Sequence, residues 1–158
     1  MPEPELVDLP ARHLAVVRDT VAVEELATFY DRSFPPIFTA LDAAGVVVSD
    51  APMAVTHGVP GTLPGASVDI SVAVPLDAAF PGARDAAVTA ETLPATRTVT
   101  LLGRGNYDLL AGAFDEVICW ARSQGLTPTG TSWEQYLTEP TPDGDPDANE
   151  TLIGVLVR

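Results

Sequence analysis

Basic residues are scarce in this chain: 8 Lys and Arg stand against 22 Asp and Glu, for a formal net charge of −14. Such a surface repels phosphate backbones and anionic membranes, so direct nucleic-acid binding is not expected; the acid favours solubility first and steering of cationic ligands second. There is one cysteine, Cys119, so no internal disulfide can form. None is needed, because a chain of 158 residues fits one domain and buries roughly 68–70% of its unfolded surface. Cys119 lies in a helical pattern without metal-ligand spacing, and a buried or half-buried inert thiol is the expectation. No apolar run is long enough to cross a bilayer and no basic leader precedes an apolar core, which points to a soluble, cytoplasmic protein. A nucleophile elbow, a phosphate-cradling glycine loop and a Cys/His cluster are likewise missing, so no metal and no cofactor are expected. The run Asp143–Asp147 alternates carboxylates like a calcium loop, but Ala148 stands where the sixth-position glycine belongs and Pro146 restricts the turn. A solvated, mobile loop is the better reading.

What is present is periodicity. Glu5 to Val17 alternates as a strand with a bulge at Pro10, and Val23 to Ala44 has helical spacing, with Leu26, Phe29, Tyr30, Ile37, Phe38 and Leu41 on one side and Gly45 as its stop. Pro35 and Pro36 should kink or divide that helix, with Ser33 available as a cap. Val46 to Val48 and Met53 to His57 read as one irregular strand, Gly58 to Gly65 as a hairpin loop, and Val68 to Val74 as a clean strand. A second pass over the same pattern follows. Leu93-Pro94-Ala95 echoes Leu9-Pro10-Ala11, Tyr107 to Arg122 is helical, Gly125 stops it, and Thr127 to Leu137 and Leu152 to Val157 are strands. Between these two strands lies an acidic loop, Glu139 to Glu150.

The pattern predicts a single domain over 1–158, with repeat 1 at about 5–75, a connector at 76–87 and repeat 2 at about 88–158. Each repeat is β-α-β-β. The simplest burial is an α/β (α+β) fold in which two helices pack on one face of a mostly antiparallel sheet, related by a pseudo-two-fold axis, with a ligand cleft between the halves.

The residues richest in chemistry are Ser132-Trp133-Glu134-Gln135-Tyr136-Leu137. On a strand, side chains alternate, so Glu134 and Tyr136 share one face while Trp133, Gln135 and Leu137 take the other. Two readings stand for Glu134: the acid at the mouth of an aromatic-lined pocket, or a solvated carboxylate on an open sheet face. Trp133 is a core residue or part of an aromatic cage. Tyr107 and Trp120 can rim a pocket or pack in the core. Phe38, Met53 and His57 hold related places in the first repeat, Met53 with a side chain that adapts to varied ligand shapes. His57 has no carboxylate close by in sequence and reads as a surface or hydrogen-bonded core histidine.

The duplication, the Leu93-Pro94 start, the Gly125 stop and above all Trp133-Glu134-Gln135-Tyr136-Leu137-Thr138-Glu139-Pro140 resemble the GyrI-like effector-binding family, also the ligand domain of many AraC-type and MerR-type regulators. The resemblance implies a multidrug-like pocket between the halves, in which Glu134 and Tyr136, with Tyr107, Trp120, Trp133, Phe38, Met53 and His57 as candidate walls, receive hydrophobic, cationic aromatic molecules. It also implies two alternatives. One is a hydrolase of strained cyclopropane-bearing electrophiles, using Glu134 as base and Tyr136 as proton donor; the other is a gyrase-inhibitor-like interaction protein. Regulators of this kind carry a helix-turn-helix domain before the ligand domain, whereas here the first strand begins close to Met1, so a stand-alone binding protein is expected, its protein partner unknown.

Overall fold

The Leu-Pro-Ala tripeptides do more than open the repeats: each marks a point where the chain leaves one structural unit for another. In the computed structural model, which describes residues 3–58, 65–81, 87–105, 110–138, 145 and 148–158 (residue 111 as backbone only), one unit comprises Ala11–Pro94 and the other Met1–Pro10 with Ala95–Arg158. Proline has no N–H to continue a ladder, so a strand pattern running through it ends there. The predicted strand Glu5 to Val17 is therefore two strands, β1 (Glu5–Leu9) and β2 (Arg12–Ala22), that belong to different units.

The unit Ala11–Pro94 contains β2, α1 (Leu26–Ala44, entered through a 3-10 turn at Val23–Glu25), β3 (Met53–His57), β4 (Ser67–Leu76) and β5 (Thr89–Leu93). Its strands pair antiparallel in the order β3-β4-β2-β5. The other unit contains β1, β6 (Thr96–Arg104), α2 (Leu110–Ser123), β7 (Pro128–Tyr136) and β8 (Glu150–Val157), antiparallel in the order β7-β8-β6-β1. Each unit thus has the same strand order, and the composition is α+β. The edge strand of each is borrowed: β1 opens repeat 1 in sequence but pairs with β6 of repeat 2, and β5 opens repeat 2 but pairs with β2 of repeat 1.

Helix α1 is not divided by its prolines. Phe29, Ser33, Ile37 and Leu41 recur every fourth residue and are buried against β2 and β4. The lost hydrogen bonds are those to the carbonyls of Asp31 and Arg32, which lie on the exposed side with Pro35 and Pro36, where water can satisfy them. Burial of Ile37 and Leu41 contributes roughly 1.5–3 kcal/mol apiece and offsets the cost. Phe38, expected on the apolar side, is instead 40% exposed. In the other unit Val117 and Ala121 of α2 pack on Val99, Leu101, Ile153, Val155 and Val157, with Leu110, Ala113, Phe114, Ile118, Trp120 and Leu126 around them. Cys119 is exposed, not buried, because it points away from the stripe that includes Val117 and Ala121. None of the described helices is long and apolar enough to cross a membrane.

One further expectation changes. Val46 to Val48 does not continue into β3: Val48 bridges Leu76, and Ser49 N–H donates to Pro75 O, tying this segment to the end of β4. Pro52, which cannot donate to a ladder, separates it from Met53. The Gly58 to Gly65 loop and the acidic loop fall largely outside the described residues, as do residues 82–86 of the connector and most of Asp143–Asp147.

Both helices end in the same way. Gly45 (φ 66°) and Gly125 (φ 75°) adopt the left-handed conformation, while Val46 N–H reaches Leu41 O at 3.3 Å and Leu126 N–H reaches Ala121 O at 2.9 Å. This six-to-one closure needs a residue without a Cβ penalty at the turn. An added Cβ at Gly125 meets nothing within 4 Å, so only the backbone opposes it. Gly125→Ala is expected to lower the stability measured by urea denaturation by about 1–2 kcal/mol without changing the fold.

Candidate functional site

Strand β7 reaches the site after an irregularity. Pro128 lies opposite Val157 and Ser132 opposite Val155, so β7 spends four residues where β8 spends two, with Gly130 at φ 101° absorbing the excess. From Ser132 to Tyr136 the pairing is regular: Glu134 faces Ile153 and Tyr136 faces Thr151. Residues directly opposite one another on antiparallel strands share a face. Because Ile153 belongs to the core beneath α2, Glu134 and Tyr136 lie on the α2 side of the sheet. The helix packs on β6 and β8, which leaves this face of β7 beside it. Next in the row, Thr151 is paired with Gly103, and Leu110 at the start of α2 lies over that glycine, 3.8 Å from where a Cβ would stand.

Glu134 and Tyr136 are both half-buried, and the Tyr136 hydroxyl donates to Glu134 Oε1 at 2.8 Å. A phenol donating to a carboxylate makes a charge-assisted bond and sets the orientation of the acid. The result is a positioned carboxylate at the border of an apolar cluster, an arrangement suited to a cation with apolar bulk.

The other sequence candidates divide between the two units. Trp133 and Gln135 take the opposite face of β7 and are 1% and 3% exposed. The Trp133 indole lies on Gly154, its cross-strand partner. Trp120 is half-buried against the α2 core. In the unit Ala11–Pro94, Met53 is buried and Phe38 stacks at 6.5 Å on Phe34. Tyr107 lies outside the described residues.

His57 acquires partners that its sequence neighbourhood did not suggest. Its Nε2 stands 3.0 Å from Ser71 Oγ and 3.1 Å from Glu91 Oε1, while Ser71 Oγ donates to Glu91 Oε2 at 2.8 Å. Because the serine proton is committed to Glu91, Nε2 must carry the hydrogen. Flat, the sheet would hold β3 and β5 three spacings, about 14 Å, apart. The contact therefore requires this sheet to curl with its His57 side concave. No hydrolytic triad results: one ring nitrogen meets both partners, and Ser71 is fully buried. The only signal that could have found this cluster is the pairing of β5 with β2, which local patterning does not encode. Among the described residues no group of three or more His, Cys, Asp or Glu is placed to hold a metal ion.

On the same concave face Arg18 makes two hydrogen bonds to Asp69, at 2.9 and 2.8 Å. The hydrogen bonding from Arg18 holds the Asp69 carboxyl below its ordinary value, opposed by slight burial and aided by the charges of Arg18 and His57. An acid so lowered stabilises the fold above the ordinary carboxylate pKa and ceases to do so as pH falls through its folded value. Asp69→Asn is expected to cost less than about 1 kcal/mol at neutral pH, since the pair is solvent-exposed. The difference from wild type should vanish in urea titrations below the folded value.

A family model for the GyrI-like small molecule binding domain matches residues 2–156. No curated protein sequence matches the chain. Among solved structures, the EcmrR C-terminal domain superposes with a TM-score of 0.82 at 18% identity, over 100% of this chain and 98% of that one. EcmrR in its DNA complex gives 0.81 at 19% identity, with 99% of this chain covering 57% of that longer one. A structure of SAV2435 bound to tetraphenylphosphonium gives 0.68 at 16% over 99% and 94%, and a hydrolase from Listeria innocua 0.66 at 12% over 99% and 92%.

Proposed function

The chain belongs to the GyrI-like small-molecule-binding family, and from that premise we propose that it binds a hydrophobic, cationic aromatic molecule beside β7, with Glu134 as the charge complement. The observation that carries this reading is the half-buried carboxylate held by Tyr136 at 2.8 Å on the α2 side of the sheet. A carboxylate partly withdrawn from water favours positive charge beside it, which a ligand cation supplies.

Helix geometry supplies the apolar wall. Strands β6 and β7 are both antiparallel to β8, hence parallel to each other, and α2 connects them. Such crossovers are right-handed. With Val117 turned to the sheet, the sense of the helix then carries Phe114 and Ile118 toward the β7 side and Trp120 toward β6. A cation seated at Glu134 has the Phe114 ring within its neighbourhood, and a well-placed aromatic face contributes roughly 0.5–2 kcal/mol. That SAV2435 was captured with tetraphenylphosphonium, a bulky hydrophobic cation, supports this ligand class. The fold is also shared with a Listeria innocua hydrolase, and the hydrogen-bonded acid and phenol have the functional groups for general base and proton donor. Binding without turnover is nevertheless the stronger reading, because the Tyr136 hydroxyl already donates to Glu134 and so presents the acid as an oriented acceptor for a cation.

Calorimetric titration of wild type and Glu134→Gln with tetraphenylphosphonium and with neutral triphenylphosphine oxide tests the proposal. The expected result is saturable binding of the cation, weakened at least about tenfold by the substitution, with the neutral compound unaffected. Equal affinities of the two proteins for the cation would remove Glu134 from the site. Recovery of chemically altered ligand from a strained electrophile at substoichiometric protein would move the reading to hydrolysis.

A further inference from the structure

The two repeats can be superposed residue by residue through their registers. Matching the Leu-Pro-Ala starts carries Leu101 onto Val17, and the ladders then carry Ile153 onto Val72, Glu134 onto Ala54, Trp133 onto Met53 and Gly154 onto Ala73. The same large-on-small pairing thus occurs twice. In one unit Met53 faces Ala73; in the other Trp133 faces Gly154. The larger partner comes with the loss of the last methyl group.

That exchange is forced by space. A Cβ on Gly154 would stand 2.3 Å from Trp133 Cε2 and 2.4 Å from Cζ2, far inside contact distance, and the indole is itself 1% exposed and has no room to retreat freely. The pairing also sits where β7 needs it. Between Pro128 and Ser132 the ladder accommodates two extra residues, so the approach to the site does not define register by itself. Trp133 follows directly after Ser132 and precedes Glu134. A slip of one residue here would turn Glu134 to the opposite face and exchange it with Trp133 or Gln135.

We propose that Gly154 is a positioning residue for the ligand site: by lacking a side chain it seats the Trp133 indole on β8 and so locks the register that sets Glu134 and Tyr136 together on the α2 side. Neither Gly154 nor Trp133 touches the ligand in this scheme, since both lie on the opposite face from Glu134. The inference rests on the ligand reading given above for its functional consequence, but the register it describes is measurable without any ligand.

The test uses Gly154→Ala and the double variant Trp133→Met/Gly154→Ala, which installs the pair found at Met53 and Ala73. Cross-strand NOEs between the β7 and β8 backbones report register, and tetraphenylphosphonium affinity reports its consequence. Gly154→Ala is expected to lose the wild-type NOEs around Glu134 and Ile153 and to bind about tenfold more weakly. The double variant should recover both, and it carries the test alone if the single variant does not fold. Wild-type NOEs or unchanged affinity in a folded Gly154→Ala protein, or failure of the double variant to recover them, would overturn the proposal. If Glu134→Gln binds the cation as wild type does, the ligand reading fails instead, and the NOEs still decide the register.

Discussion

The antiparallel ladder between β7 and β8 is the constraint on which the proposed chemistry depends. Alternation alone places Glu134 and Tyr136 on a common face, but only pairing with Ile153 and Thr151 turns that face toward α2. On that side the acid meets the border of an apolar cluster, not a sheet face without a helix. The phenol beside it holds one carboxylate oxygen at 2.8 Å, so the charge has a defined direction. A ladder with a slack approach at Gly130 and a close-fitted indole at Trp133, directly before Glu134, is a local solution to a demand for precise register.

Duplication supplied two equivalent places, and the units have diverged at them. The counterparts of Glu134 and Tyr136 are Ala54 and Thr56, so the carboxylate and phenol occur once per chain. On the other sheet face the divergence runs in the opposite sense. His57, Ser71, Glu91 and Arg18 correspond to Leu137, Leu152, Val7 and Leu102. One unit therefore concentrates its polar groups on the concave face of its sheet, in contacts that tie the edge strand β5 back to β3, while the other places its acid and phenol on the helix side. Mutual hydrogen bonding satisfies His57, Ser71 and Glu91, the usual condition for polar groups withdrawn from water, while Arg18 pairs with Asp69 at the exposed part of the same face.

The exchanged edge strands account for the place of proline in the repeats. A pattern of alternating apolar residues ran through Pro10 and invited a single strand, yet each Leu-Pro-Ala tripeptide ends one strand and sends the next into a different unit. Prolines in α1 mislead in the converse way. Their usual effect on a helix is real, but the buried stripe at Phe29, Ser33, Ile37 and Leu41 lies on the opposite side from them, and packing prevails over propensity.

Local periodicity determined both helices, the strands β3, β4, β7 and β8, the two glycine stops, the duplication, and the common face of Glu134 and Tyr136, because each of these follows from spacing within a few residues. Tertiary structure decided which strand borders which, that β1 and β5 serve the opposite repeat, that His57 finds a carboxylate 34 residues away at Glu91, and that the 1% exposed indole of Trp133 needs a glycine opposite. Those facts arise from pairings between distant segments. An edge strand carries the same alternation whichever partner it joins, so its sequence pattern states that it is a strand and leaves its neighbour to be settled by the packing of the whole unit.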